Sequence, residues 1–159
     1  MTLLEARSEY GISQIEAASF LGVPLRTYIR YEKNDSYGNS LKREMMLLSL
    51  IKQYEITETH GLLTIGKIKE SLTKLFDSQY SGDIEFCYLF GSYAKGYAKE
   101  TSDVDLCVAT SLTGFKFVGL SESIRITLHK NIDLIRFNNL KDNMELLNEI
   151  MKDGIKIYG

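Results

Sequence analysis

The feature that most constrains this chain is a spacing: Gly91-Ser92, ten intervening residues, then Asp103-Val104-Asp105, with apolar runs on either side of a small-residue loop. The runs Glu85 to Phe90 and Asp103 to Ala109 read as strands, the second turning Val104, Leu106 and Val108 towards a core. Successive strand side chains point to opposite faces, so Asp103 and Asp105 project the same way, with Cα atoms roughly 6–7 Å apart. Two such carboxylates can hold a divalent metal, or a pair of metals about 3.5–4 Å apart. Asp133, between Ile132 and Leu134 in the next apolar run, offers a third carboxylate if the two strands are neighbours. Oxygen-only ligands point to Mg2+ or Mn2+. Gly91 permits an unusual backbone angle or a close ligand approach, and Ser92 can cap a following helix while offering its hydroxyl and N–H to a phosphate. Lys95, in that helix, can add a positive charge. An anion cradle beside a metal clamp is what nucleotidyl transfer needs.

The order of elements around this motif predicts an α+β fold with an α/β-like alternation. Residues Ile65, Ile68, Leu72, Leu75 and Phe76 form one face of a helix, and Ser81-Gly82-Asp83 turns it into the first strand. A short helix follows Ser92. After the Asp-bearing strand come a helix around 115–129 with the stripe Phe117, Leu120, Ile124 and Leu128, a strand from Asn131 to Phe137, a helix around 141–153 and a strand from Gly154 to Tyr158. The expected result is a mixed sheet with its helices mainly on one face.

The first third differs. Helices are predicted at about 2–10, 14–21, 24–33 and 41–54, with Gly11 and Gly22 as stops, Ser13 as a cap and Pro24 at a first turn. Ile15, Ala18 and Leu21, then Tyr28 and Tyr31, then Leu41, Met45 and Leu48 recur at helical spacing and are the expected core of a small bundle. The character of the chain changes after the polar segment from Lys33 to Ser40, and the division expected is 1–56 for the bundle and 57–159 for the sheet. With 159 residues, 44% of them hydrophobic, there is material for one ordinary domain or a small one plus a compact second.

Composition narrows the function classes. No run of about 18 apolar residues is present and the N-terminus lacks the pattern of a secretory signal, so a cytoplasmic location without membrane association is expected. Cys87 and Cys107 both fall within strands and read as small buried residues, and with only His60 and His129 a zinc site is not expected. A net charge of −2 excludes a general electrostatic grip on nucleic acid. Residues 1–55 carry seven Lys/Arg and seven Asp/Glu, so any DNA binding must come from a local patch, with Arg26, Arg30 and Lys33 as candidates.

The stretch from Leu89 to Leu106 resembles the Gly-Ser, ten residues, Asp-x-Asp motif of the polymerase-β-type nucleotidyltransferase superfamily, and most resembles its minimal (MNT) branch. The resemblance covers about residues 60–159. It implies that Gly91 and Ser92 hold the triphosphate of ATP, that Asp103 and Asp105 ligate magnesium, and that Asp133 completes the catalytic site. Many minimal members carry Arg where this chain has Tyr93 and Lys95. The segment from Gly11 to Glu32 resembles the helix-turn-helix of Xre/Cro-type regulators, with Ser-Gln opening one helix, Gly-Val at the turn, and Thr and Glu in the recognition helix. That likeness gives Leu25, Arg26 and Arg30 as base readers, and Gln14 and Thr27 as residues that touch phosphate or orient a reader. Two copies acting together would be expected.

Together the two halves resemble an antitoxin of the MNT type, which transfers AMP from ATP to a tyrosine of a HEPN ribonuclease toxin and binds operator DNA. The partners implied are that toxin and the operator, in a homo- or hetero-oligomer. The alternatives are a DNA-binding regulator whose nucleotidyltransferase fold is inactive or senses nucleotide, and a small-molecule adenylyltransferase. The latter usually adds a helical substrate domain after the sheet, and here 26 residues follow Asp133. Arg125 and His129 are separated by three residues, fewer than the four to six of the HEPN ribonuclease signature, so the chain is not expected to be the toxin itself.

Overall fold

Polar end signals cut the first third into four helices. Helix α1 (Leu3–Glu9) opens with a capping box in which Glu5 N–H donates to Thr2 Oγ1 at 3.2 Å and Thr2 N–H to Glu5 Oε2 at 2.7 Å. Ser13 and Glu16 repeat the device at the start of α2 (Gln14–Leu21), which ends on Gly22 in the left-handed conformation. Pro24 precedes α3 (Leu25–Lys33), and Asn39 caps α4 (Ser40–Tyr54). The computed structural model describes every residue from Met1 to Gly159, and the chain separates into two compact units, Met1–Glu55 and Ile56–Gly159.

The first unit packs Leu3, Ala17, Ala18, Tyr28, Tyr31, Met46 and Leu50 together. Full burial of a large apolar side chain such as Leu50 contributes on the order of 1.5–3 kcal/mol. A polar brace ties three helices: Arg7 donates to both Glu32 carboxylate oxygens at 2.9 and 3.0 Å, and Gln14 Nε2 donates to Glu32 Oε1 at 3.1 Å. Burial alone would raise the Glu32 carboxyl, but the hydrogen bonds from Arg7 and Gln14 outweigh it and the net direction is down.

Two parts of the expected core are corrected here. Ile15 is exposed, the buried positions of α2 being Ala17 and Ala18. On α4, Leu41, Met45 and Leu48 are 62%, 61% and 57% exposed, and Met46 and Leu50 enter the core instead. This helix carries apolar residues on more than one face, so a 3.6-residue period fits two different stripes, and tertiary contact chooses between them.

The second unit is a four-stranded mixed sheet in the order β3-β2-β1-β4, built from β1 (Ile84–Phe90), β2 (Val104–Thr110), β3 (Ile132–Arg136) and β4 (Ile155–Tyr158). Strand β1 runs antiparallel to β2 and β4, whereas β2 and β3 are parallel and need a crossover, supplied by α7 (Gly114–Leu128). Helix α5 (Ile65–Gln79) presents Ile68, Leu72, Leu75 and Phe76 to one sheet face, where Leu120, Ile124 and Leu128 of α7 meet Leu89, Val104, Leu106 and Val108. The opposite face is covered in part by a 3₁₀ turn (Phe137–Asp142) and α8 (Met144–Asp153), with Phe90, Cys107, Leu140 and Ile150 in contact. Both cysteines are buried and free. No helix is long and apolar enough to cross a membrane.

Candidate nucleotide site

Backbone register brings the motif together. Phe90 at the end of β1 pairs with Asp105, and Asp105 pairs with Asp133 on the parallel strand β3. Strand parity then puts Asp105 on the same face as Cys107, and Asp133 on that of Ile135, which is the face that α8 partly covers. Asp103 lies one residue before β2, two positions from Asp105. Asp103 and Asp133 are exposed and Asp105 is half-buried.

Gly91 follows directly. Its φ of +69° lies in the left-handed region, and a Cβ there would collide with Asp105 Oδ2. Only glycine lets the turn press against the carboxylate without displacing it. Helix α6 (Gly91–Lys95) begins at Gly91 with Phe90 as its cap residue, so Ser92 lies inside the first turn and is not the N-cap expected from sequence. The Ser92 carbonyl accepts hydrogen bonds from Gly96 and Tyr97 N–H at 3.0 and 3.1 Å, closing the helix. Tyr93 points into the sheet core, 5% exposed, and anchors α6.

Burial first, and then the charges of Asp133, Asp103 and Glu149, push the Asp105 carboxyl up from 3.8 to about 6. The half-buried aspartate thus sits in a field of like charge. No three acidic, cysteine or histidine side chains close into a ready-made metal-ligating group. Like charges repel, and drawing them together takes the field of a cation. The donor set, all carboxylate oxygen from adjacent strands, suits a hard divalent ion.

Lys95 Nζ lies 2.6 Å from Glu149 Oε1 of α8, a partner 54 residues away along the chain. A second lysine, Lys130, stands outside the motif. Lys130 is fully buried, the one buried polar or charged residue, and its Nζ donates to the backbone carbonyls of Glu100 at 2.5 Å and His60 at 3.2 Å. Glu100 belongs to the loop that delivers Asp103, and Val104 N–H donates to Asn131 O at 2.9 Å beside it. His129, at φ 54° the one non-glycine residue with positive φ, turns the chain between α7 and Lys130. Neither Glu149 nor Lys130 stands in a motif; only the folded chain brings Glu149 to Lys95 and Lys130 to the loop before β2.

In the first unit, Leu25, Arg26 and Arg30 of α3 are exposed and Thr27 is half-buried. Arg30 also lies over the Tyr37 ring, 5.8 Å from its centroid. Gln14 is engaged with Glu32.

Residues 67–159 match the family described as Polymerase beta, Nucleotidyltransferase. The chain belongs to this family. A Methanocaldococcus jannaschii protein named as a protein adenylyltransferase is 35% identical over 80 residues, covering 48% of this chain and 93% of that protein. Among solved structures, a toxin–antitoxin complex with AMP-PNP contains a chain 22% identical, with a TM-score of 0.49, covering 57% of this chain and 73% of that one. A complex of tri-AMPylated Shewanella oneidensis HEPN toxin with MNT antitoxin gives 19% identity and a TM-score of 0.46, covering 60% and 73%.

Proposed function

We propose that the chain is an antitoxin that transfers AMP from ATP to a tyrosine of a HEPN ribonuclease toxin, and that its first unit binds the operator of its own genes. The observation that carries the catalytic part is the side-by-side placement of Asp105 and Asp133, with Gly91 pressed against Asp105. The likeness to a protein named as a protein adenylyltransferase supports a protein acceptor.

In this reading Gly91 and Ser92 cradle the triphosphate, Lys95 adds positive charge, and Asp103, Asp105 and Asp133 hold Mg2+ or Mn2+. The metal supplies charge neutralisation and lowers the pKa of the acceptor hydroxyl. The tyrosine oxygen attacks the α-phosphorus, the bond from that phosphorus to the bridging oxygen breaks, and pyrophosphate leaves in line. Asp133 takes the proton of the attacking hydroxyl. Exposed Leu25, Arg26 and Arg30 on one helix support base reading by α3.

The test is to incubate the chain with α-labelled ATP, Mg2+ and a HEPN protein encoded beside it. Label on that protein, lost with Asp103→Asn plus Asp105→Asn, is expected. Absence of label, or undiminished label with the double variant, overturns the proposal.

A further inference from the structure

An ion pair at the edge of the site opposes the binding of a polyanion. Lys95 lies on α6, four residues after Gly91, and its charge is matched by Glu149 at 2.6 Å. The two side chains are 29% and 34% exposed, so water reaches the pair, and such contacts are weak and exchangeable. Glu149 lies on α8, which covers part of the sheet face that carries Asp105, and its charge is one of those felt by Asp105. Four carboxylates, Asp103, Asp105, Asp133 and Glu149, thus share a neighbourhood with a lysine that is already occupied. A metal ion accounts for the aspartates; it leaves Glu149 unexplained, because this carboxylate both repels phosphate and diverts the lysine.

We propose that Glu149 is a positioning residue that holds Lys95 in the free chain and releases it to phosphate oxygens when a nucleoside triphosphate enters. Glu149 thereby sets nucleotide affinity by competing for the same cation. This rests on the reading of Gly91, Ser92 and Lys95 as the nucleotide cradle. A role for Glu149 as a further metal ligand has the opposite consequence, since its removal would then weaken binding.

The experiment is calorimetric titration of the full chain with α,β-methylene-ATP, which resists cleavage at the transferred phosphorus, in excess Mg2+. Glu149→Gln is expected to bind about three- to tenfold more tightly, the scale of one unit charge removed from several ångströms away at a wet surface. Lys95→Met binds more weakly. In the Lys95→Met background the gain from Glu149→Gln shrinks, because no lysine remains to be released. Unchanged or weakened binding by Glu149→Gln overturns the inference, as does an equal gain in both backgrounds, which would mean simple repulsion. Those results leave the nucleotide site standing provided the parent chain binds; a parent chain that binds no nucleotide overturns the proposed function as well.

Discussion

At Gly91 a single hydrogen atom separates a working turn from a collision. Gly91→Ala puts a Cβ into the Asp105 carboxylate and forces a left-handed angle on an L-residue, a strain of roughly 1–2 kcal/mol. Chemical denaturation is expected to show a loss of that order, and AMP transfer is expected to fall about 100-fold because a displaced carboxylate costs positioning. Asp105 gives a signed pH prediction. Its folded pKa of about 6 lies above the ordinary 3.8, so the stability it contributes is full below about 3.8 and is lost as pH rises through 6. In metal-free buffer Asp105→Asn should therefore melt at a higher temperature than the parent above pH 6, with the difference closing towards pH 4. A parent that is the more stable at pH 7.5 would contradict this. The aspartates were legible in the sequence because strand parity is a backbone property: two residues apart means one face, whatever the tertiary surroundings. Glu149 was not legible, since the approach of α8 to α6 depends on how Leu140 and Ile150 pack against the sheet, and no local pattern encodes it.

The helices and loops show the same division between local and tertiary information. Capping boxes at Thr2 and Ser13 are local hydrogen bonds, and α2 occupies the span expected from sequence, 14–21. The buried face of α4 differs from the one its periodicity suggests, because the choice between Met45 and Met46 is made by neighbouring helices. Lys130 acts on a loop from outside it. Lys130→Met removes the ammonium that donates to both the Glu100 and His60 carbonyls, leaving His60 O with the Thr57 N–H, and hydrogen exchange should speed up in residues 57–61 and 97–104 while the centre of β1 stays protected. Acceleration spread evenly over the sheet would mean that Lys130 serves global stability alone. On α3, Arg26→Ala and Arg30→Ala should each weaken operator binding by about 1–3 kcal/mol if they read bases, with relaxed sequence preference. A uniform loss over all sequences, with a smaller salt dependence, would place them on phosphates instead.

Across the whole molecule, two compact units share one chain. The sheet unit, Ile56–Gly159, contains the full span of the family match, 67–159, and the helical unit lies outside it. Much of the sheet was readable from alternation and turn residues, because strands of five to seven residues leave few ways to arrange their apolar faces. Strand order was not: that β1 sits between β2 and β4, and that β3 lies beside β2, is set by crossover through α7 and by the return of the chain after α8. That order is what pairs Asp105 with Asp133, and so it gathers a linear motif into the candidate site. The most direct measurement is the intact mass of the neighbouring HEPN protein after co-expression with this chain. A mass increased by whole AMP units, mapped to tyrosine and absent when Asp105→Asn replaces the parent, is the expected result. An unmodified partner, or one modified equally by the Asp105→Asn chain, would contradict it.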